Sequence, residues 1–364
     1  MRICLLTPSV YGMRGDVRSI VNLAGELAER HEVEIVSVRR HREKPFFPVA
    51  AGVTLSWVVD ARPGVRYLLP RGQMRTEVAL WRRLRGLRAD VIVSTRPGLS
   101  VQVARHAPRD VTRIAREWGR PPVPGPIRKF YPRLDAVAAA TETSRQEWDH
   151  LLGGNVPVSV IPDALPAGPW PRSRMDNRIV AAGGRLVPVK AHDRLIRAFA
   201  VVAGKRPDWR LRLYGGGPEE KRLRALVGDL DLHNHVYFMG TTSDMTGEFA
   251  KASIVATTSR TEVLGMTVIE AMASGVPVVA FDTPRGPGEF VADGRNGVLV
   301  PEGPEGSEGE DGIEAYASAL LALIDDEGRR RELAAGALEV AADHGASSVA
   351  DRWEKLIAAT SRRA

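Results

Sequence analysis

The 364-residue chain has a single cysteine, Cys4, inside the apolar run ICLL. One thiol can form neither an intramolecular disulfide nor a cysteine metal cluster, so Cys4 reads as an inert core thiol. Long apolar runs are missing too. No uninterrupted stretch nears the roughly 18 residues of a spanning helix, and the opening MRICLLTPS lacks the longer apolar region of a secretory signal. The expected location is therefore the cytoplasm. Two glycine signatures of nucleotide binding are also absent. YGMRGD stands where GxGxxG would follow the first strand, and no GxxxxGK[ST] occurs, so nicotinamide and P-loop chemistry recede.

The composition, 44% apolar and 26% charged, is that of a soluble globular protein and not of a disordered or fibrous one. Its length exceeds the roughly 250 to 300 residues at which single cores stop growing, so two domains are expected. Charge divides unevenly. Residues 1–170 hold 26 Lys and Arg against 16 Asp and Glu, whereas residues 171–364 hold 25 against 28. Seven arginines fall between Arg66 and Arg88, interleaved with Tyr67, Leu69, Trp81, Leu84 and Leu87. Two readings of this segment stand: a basic amphipathic surface for anionic lipid or an acidic acceptor, or a solvated helix face in an arginine-rich chain. The first would put the protein peripherally at the inner face of the membrane. No nucleic-acid partner is indicated.

The pattern along the chain alternates strand and helix. RICLLTP, VEIVSV, DVIVST, VTRIAR, AVAAAT and VSVIPD are short apolar runs with the character of buried parallel strands, and VRSIVNLAGELAERH and LSVQVARHA carry apolar residues at helical spacing. PDALPAGPWPRSRM, residues 162–175, packs four prolines into fourteen residues and reads as a linker. The alternation then restarts with strands RIVAAGG, WRLRLYGG, VYFMG, SIVATTS and VPVVAFD and helices HDRLIRAFAVVAG, EEKRLRALVGDL and TVIEAMASG. Two doubly wound α/β units follow from this. Residues 301–312, PEGPEGSEGEDG, read as an acidic, glycine-rich loop.

Ligands of doubly wound sheets bind at the carboxyl ends of strands. GGRLVPVK sets Arg185 and Lys190 there, and two cations together suit a diphosphate. Gly12 and Gly15, ahead of the first helix, permit close backbone approach to an anion, although a tight structural turn is the more frequent explanation of such a pair. YGGGP opens another helix and reads as a close-packed turn. DLD, with Asp229 and Asp231, matches the metal-binding DxD pattern but lies between a helix and a strand with no further ligands nearby, so no metal site is expected. In TEVLGMTVIEAM, Glu262 falls in a loop and Glu270 near the start of a helix, with the amides of Leu264, Gly265, Met266 and Thr267 at the positive end of the helix dipole.

Glu, seven residues, Glu, followed by AMASGVPVV, together with GGRLVPVK, YGGGP, VYFMG and GEFVADGRNGVLVP, resembles glycosyltransferase family 4 over nearly the whole chain. LGMTVIEAM and DTPRGPGEF resemble its branch of bacterial enzymes acting on cell-surface polymers. The resemblance implies the GT-B fold: two Rossmann-like domains facing a central cleft, an acceptor-side domain at 1–165, a linker at 166–176, a nucleotide-sugar domain at 177–345, and a helix at 346–364 crossing back to the first domain.

It further implies a retaining transfer of a sugar from a UDP- or GDP-sugar to a hydroxyl acceptor on a polymer, glycolipid or secondary metabolite. The nucleotide sugar is a co-substrate, and neither cofactor nor metal is required. Arg185 and Lys190 would bind the diphosphate, Glu262 the sugar hydroxyls, Glu270 the ribose, the amides of Leu264 to Thr267 the phosphate and sugar oxygens, and Gly240 and Thr241 the base. The leaving diphosphate, and not Glu262, would take the acceptor's proton.

Three positions depart from the family pattern. Arg14-Gly15 replaces a glycine pair at the donor phosphate, which sets Arg14 with Gly12 and Gly15 among the donor-binding residues, to add a phosphate contact or to block one; Glu117 and Trp118 stand, on the acceptor or sugar side, in a neighbourhood that often supplies a sugar-side His; and Val263-Leu264 replaces Gly-Phe. Two other readings remain: a 2-epimerase-like enzyme using Glu262 with Glu117, and a non-catalytic binder of sugar nucleotide.

Overall fold

The computed structural model describes residues 1–63, 65, 73–119, 123–262, 265–283, 286–302 and 309–361. The chain divides into two compact units, one formed by residues 1–167 and 344–364 and the other by residues 168–343.

In the first unit the strands are β1 (Arg2–Thr7), β2 (Glu32–Arg40), β3 (Val53–Asp60), β4 (Val91–Thr95), β5 (Thr112–Glu117), β6 (Ala136–Ala139) and β7 (Val158–Val160). They form one sheet in the order β3-β2-β1-β4-β5-β6-β7, every pair parallel. The helices are α1 (Gly15–Leu27), α2 (Gln73–Arg85), α3 (Pro97–His106), α4 (Pro124–Phe130) and α5 (Glu142–Leu152). The central strands are buried because helices cover both faces of a parallel sheet; β4 and β5 are buried at every position. β3, at the edge of the sheet, is buried only at Val53 and Val59 and leaves Trp57 exposed.

The second unit repeats the design with β8 (Ile179–Gly183), α6 (His192–Lys205), β9 (Arg210–Tyr214), α7 (Glu220–Asp229), β10 (Val236–Gly240), α8 (Met245–Phe249), β11 (Ile254–Thr257), α9 (Met266–Ala273), β12 (Val278–Asp282), β13 (Gly297–Pro301), α10 (Glu310–Asp325) and α11 (Glu327–Asp343). Its parallel sheet runs β10-β9-β8-β11-β12-β13, the 3-2-1-4-5-6 order of a Rossmann fold. The expected acidic loop at 301–312 ends sooner than its composition suggests. Gly309 precedes α10, and Glu310 and Asp311 occupy the helix's first turn, where acids complement the dipole.

The last helix, α12 (Ala346–Thr360), packs on α1 of the first unit. Trp353 and Ile357 are buried, and Arg30 bonds Asp351 and Glu354 at 2.9 Å each while His31 meets Glu354 at 2.7 Å. Among the described residues no helix is long and apolar enough to cross a membrane.

Candidate functional site

Where β8, β9 and β10 end in the second unit, three loops share one backbone cluster. The Gly184 amide donates to the Tyr214 carbonyl at 2.9 Å, Leu186 to Gly216 at 3.1 Å and Gly215 to Gly240 at 2.7 Å. Only glycine fits at two of these positions. A Cβ on Gly215, whose φ is 149°, would overlap the Gly184 carbonyl oxygen, and one on Gly217 would overlap that of Leu186. Gly216 and Thr241 also lie side by side. The cluster thus gathers Arg185, which is exposed, with Gly240 and Thr241 at the carboxyl edge of the sheet.

Beside it, a 3-10 turn at Pro188–Lys190 leads into α6 through Ala191, held at φ 47°. The loop after β11 is tied to this turn: Thr258 Oγ1 donates to the Ala191 carbonyl at 2.8 Å and the Arg260 amide to that of Val189 at 2.9 Å. The ties bring Lys190 Nζ onto Glu262 Oε2, with Ser259 Oγ donating to the same oxygen at 3.3 Å. Side-chain exposures of 16% and 10% place this ion pair where solvent screens it only partly.

The α9 terminus follows. Gly265, at φ 55°, precedes the helix, and a Cβ there would run into the Phe290 ring. The amides of Met266 and Thr267 lie in the first turn, which has no intrahelical acceptors to offer. Glu270 is 3% exposed and lies one turn in, on a helix buried at seven of its eight positions. Val263 and Leu264 lie outside the described residues.

His192, the first residue of α6, was not singled out from sequence. It is buried; burial first, and then the Lys190 charge, push its pKa down to about 4, against a hydrogen bond to the Arg185 backbone that favours the charged form. At neutral pH it is an uncharged imidazole between the two expected diphosphate ligands. A polar residue opening a helix directly after a site lysine, in KAHD, was the available signal.

In the first unit, Gly12 and Gly15 bracket the turn between β1 and α1, and Arg14 precedes the helix. Arg14 Nε donates to Asp16 Oδ1 at 2.9 Å and its Nη2 bonds Oδ2. Arg96 Nη2, from the end of β4, reaches the same Oδ2 at 2.7 Å. Arg96 was also missed, although STRPG places a cation directly after a strand, as GGR does for Arg185.

Glu117 and Trp118, expected on the acceptor or sugar side, are both buried. The Glu117 carboxyl is sealed in the interior, accepting from Tyr131 OH at 2.6 Å and Ser100 Oγ at 2.9 Å, and burial pushes its pKa up to about 8. Trp118 turns its Nε1–H to Asp163 at 2.8 Å, where Arg116 and Ser19 also donate. The reason is the strand: β5 is buried at all six positions, so its terminal carboxyl has no route to solvent. The epimerase reading loses its second acid–base group with Glu117.

On α2, Leu80 and Leu84 turn into the core together with Leu87 just beyond the helix, and Arg83 pairs with Glu34 at 2.6 Å. Met74, Val78 and Trp81, at i, i+4 and i+7, are exposed. Arg66, Tyr67, Leu69 and Arg71 lie outside the described residues. Among the described residues no three His, Cys, Asp or Glu side chains gather as a metal-binding group.

Residues 171–339 match the family described as Glycosyl transferases group 1. The chain is 33% identical to an exopolysaccharide phosphotransferase of Streptomyces coelicolor, over 98% of this chain and 40% of that protein. It is 28% identical to an uncharacterized glycosyltransferase of Haemophilus influenzae, over 61% of each. The chain therefore spans only about two fifths to three fifths of these curated relatives. The crystal structure of Anabaena HepE in complex with UDP is similar in fold, with a TM-score of 0.76 over 99% of this chain and 100% of that one at 19% identity. The family match falls on the unit that carries the Lys190–Glu262 pair: residues 171–339 match the glycosyl transferases group 1 family, and the chain has the GT-B fold.

Proposed function

We propose that this protein transfers a glycosyl unit from a UDP- or GDP-sugar to a hydroxyl acceptor with retention of configuration and without a metal ion. The observation that carries the reading is the Lys190–Glu262 ion pair beside Arg185 at the carboxyl edge of a Rossmann-type sheet. In the free protein Glu262 holds Lys190 in place. When a nucleoside-diphosphate sugar binds, the Lys190 ammonium and the Arg185 guanidinium meet the diphosphate and stabilise the charge that grows on it as the glycosidic bond breaks. Glu262, relieved of its cation, accepts hydrogen bonds from the sugar hydroxyls. The first-turn amides of α9 and the dipole behind them add to the same anion.

Glu270 is assigned to the ribose hydroxyls, and Gly240 and Thr241 to the base. Gly12 and Gly15 let the first unit's loop backbone approach the donor. The proton of the acceptor hydroxyl passes to the departing diphosphate on the face where the new bond forms, so no protein nucleophile is needed. The acceptor is a cell-surface polymer, a glycolipid or a secondary metabolite.

Incubation with labelled UDP- and GDP-sugars tests the reading through release of free nucleotide and transfer of label. Lys190→Gln is expected to lower turnover by about 10² to 10³ with an unchanged melting temperature. A variant as fast as the wild type would remove Lys190 from the reaction, and binding of nucleotide sugar without turnover on any acceptor would favour a non-catalytic role.

A peripheral membrane position is a second element of the proposal. It rests on the exposed stripe of Met74, Val78 and Trp81, which Arg85 continues and Arg82 and Glu77 border on α2, a face of apolar residues with a net positive charge suited to an anionic bilayer surface.

A further inference from the structure

At the carboxyl ends of β1 and β4 the first unit holds a charged cluster: Arg14, which the sequence placed at the donor phosphate, is joined here to Asp16 and Arg96, neither of which the donor reading uses. The sheet order β3-β2-β1-β4 reverses direction between these two strands, and a doubly wound sheet opens its ligand crevice at such a reversal. Arg14 arrives from the turn after β1 and Arg96 from the turn after β4. Both bond Asp16, which is buried, while their own side chains are 43% and 44% exposed.

Stability does not account for this arrangement. Each arginine is the residue immediately before a helix, α1 or α3, where the positive end of the dipole repels a cation, and neither side chain caps its helix. Arg96 adopts φ 120°, a conformation unfavourable for any residue with a Cβ. The two guanidiniums share one carboxylate, so the cluster carries a net positive charge. Arg96 commits Nη2 to Asp16, which leaves Nε and Nη1 for a ligand. Strain and like charge gathered at a crevice are what a preformed ligand site looks like.

We propose that Arg14 and Arg96 form a clamp for a phosphoryl group carried by the acceptor. This rests on the glycosyltransferase reading above, in which the donor's diphosphate already has Arg185 and Lys190 in the other unit. A second cationic pair serves a second anion. Guanidinium forks match tetrahedral phosphoryl oxygens with paired N–H donors, and Asp16 holds both forks at one place.

The test is calorimetric titration of the full chain, saturated with UDP or GDP so that the donor site is filled, using glycerol 1-phosphate and, separately, glycerol. Glycerol 1-phosphate is expected to bind, more weakly as salt is added, and glycerol not to bind. Arg96→Gln should weaken glycerol 1-phosphate binding about tenfold or more, as expected for loss of a charged hydrogen-bonding partner, and Lys190→Gln should leave it unchanged. Displacement of glycerol 1-phosphate by the nucleotide, or its loss in Lys190→Gln, would assign the phosphoryl to the donor and overturn the proposal. So would equal binding of glycerol, no binding of either, or indifference to Arg96→Gln.

Arg14→Gln, which leaves Arg96 on Asp16, keeps the test valid if Arg96→Gln fails to fold; it too should weaken binding, and unchanged affinity would count against the clamp. A chain that binds no nucleotide would refute the donor reading, and the titration without nucleotide would still decide the clamp.

Discussion

Glu117 shows how one residue changes meaning between sequence and structure. As a letter after VTRIAR it is an acid in a place where the family often keeps a sugar-side His; in the fold it is a carboxyl under α3, bonded to Ser100 and Tyr131. With a folded pKa of about 8 against an ordinary glutamate value of 4.5, the native state binds more protons than the unfolded state between these limits. Its stability therefore falls as pH rises through that window, at up to about 1.4 kcal/mol per pH unit. Glu117→Gln, isosteric and uncharged, should lack this loss, so urea melts at pH 5 and pH 8.5 should show the variant gaining on the wild type at the higher pH. Parallel stability profiles would mean that the carboxyl is ionised in the fold. His192 has the opposite sign: burial depresses its pKa, and its contribution to stability is lost as pH falls from 6.5 toward 4.

The loop elements at the ends of β8, β9 and β10 are where local sequence was most informative. GGR, GGGP and VYFMG each mark a strand end, and the structure gives the steric reason for the glycines. Gly215→Ala should push the Gly184 carbonyl aside, costing about 1 to 3 kcal/mol as overpacking does and weakening nucleoside diphosphate binding through Arg185. Gly204, helical in α6 with open space at its Cβ position, provides the contrast: Gly204→Ala should stabilise by about 0.5 to 1 kcal/mol. Melting curves of the two variants with and without UDP or GDP check both effects; equal behaviour would refute the packing argument.

Other elements were not legible. β3 is an edge strand that carries Thr54, Ser56 and Asp60, without the continuous apolar run that marks a strand covered on both faces, and β13, also at an edge, offers only Val298, Leu299 and Val300 between a glycine and a proline. The interior strands β1, β4, β6, β8, β11 and β12 did show it, and were read from the sequence.

For the molecule as a whole, the two-unit division follows from length and from the repeated strand–helix alternation. The last residues lie in the first unit because α12 packs on α1 and buries Trp353 and Ile357 there in the unit. The excess of basic residues in the first half gives the membrane proposal its charge, and α2 gives it a face. Co-sedimentation with vesicles containing an anionic phospholipid should exceed that with zwitterionic vesicles and decline with salt. Trp81→Ala with Val78→Ser should reduce it further at fixed charge. Binding indifferent to lipid charge, or to these two substitutions, would return α2 to a solvated helix face.

Sequence by itself determined the class of fold, the order of the buried strands and the carboxyl-edge loops that carry Arg185, Lys190 and Glu262, because periodicity and glycine placement are local properties that survive without coordinates. Tertiary structure alone decided which charges meet. Lys190 and Glu262 are 72 residues apart and Arg96 and Asp16 are 80 apart, and such pairs form only because parallel strands bring successive loops to one edge of a sheet. The same packing decided that Glu117 is enclosed, since burial depends on what covers a strand and not on the strand's own residues.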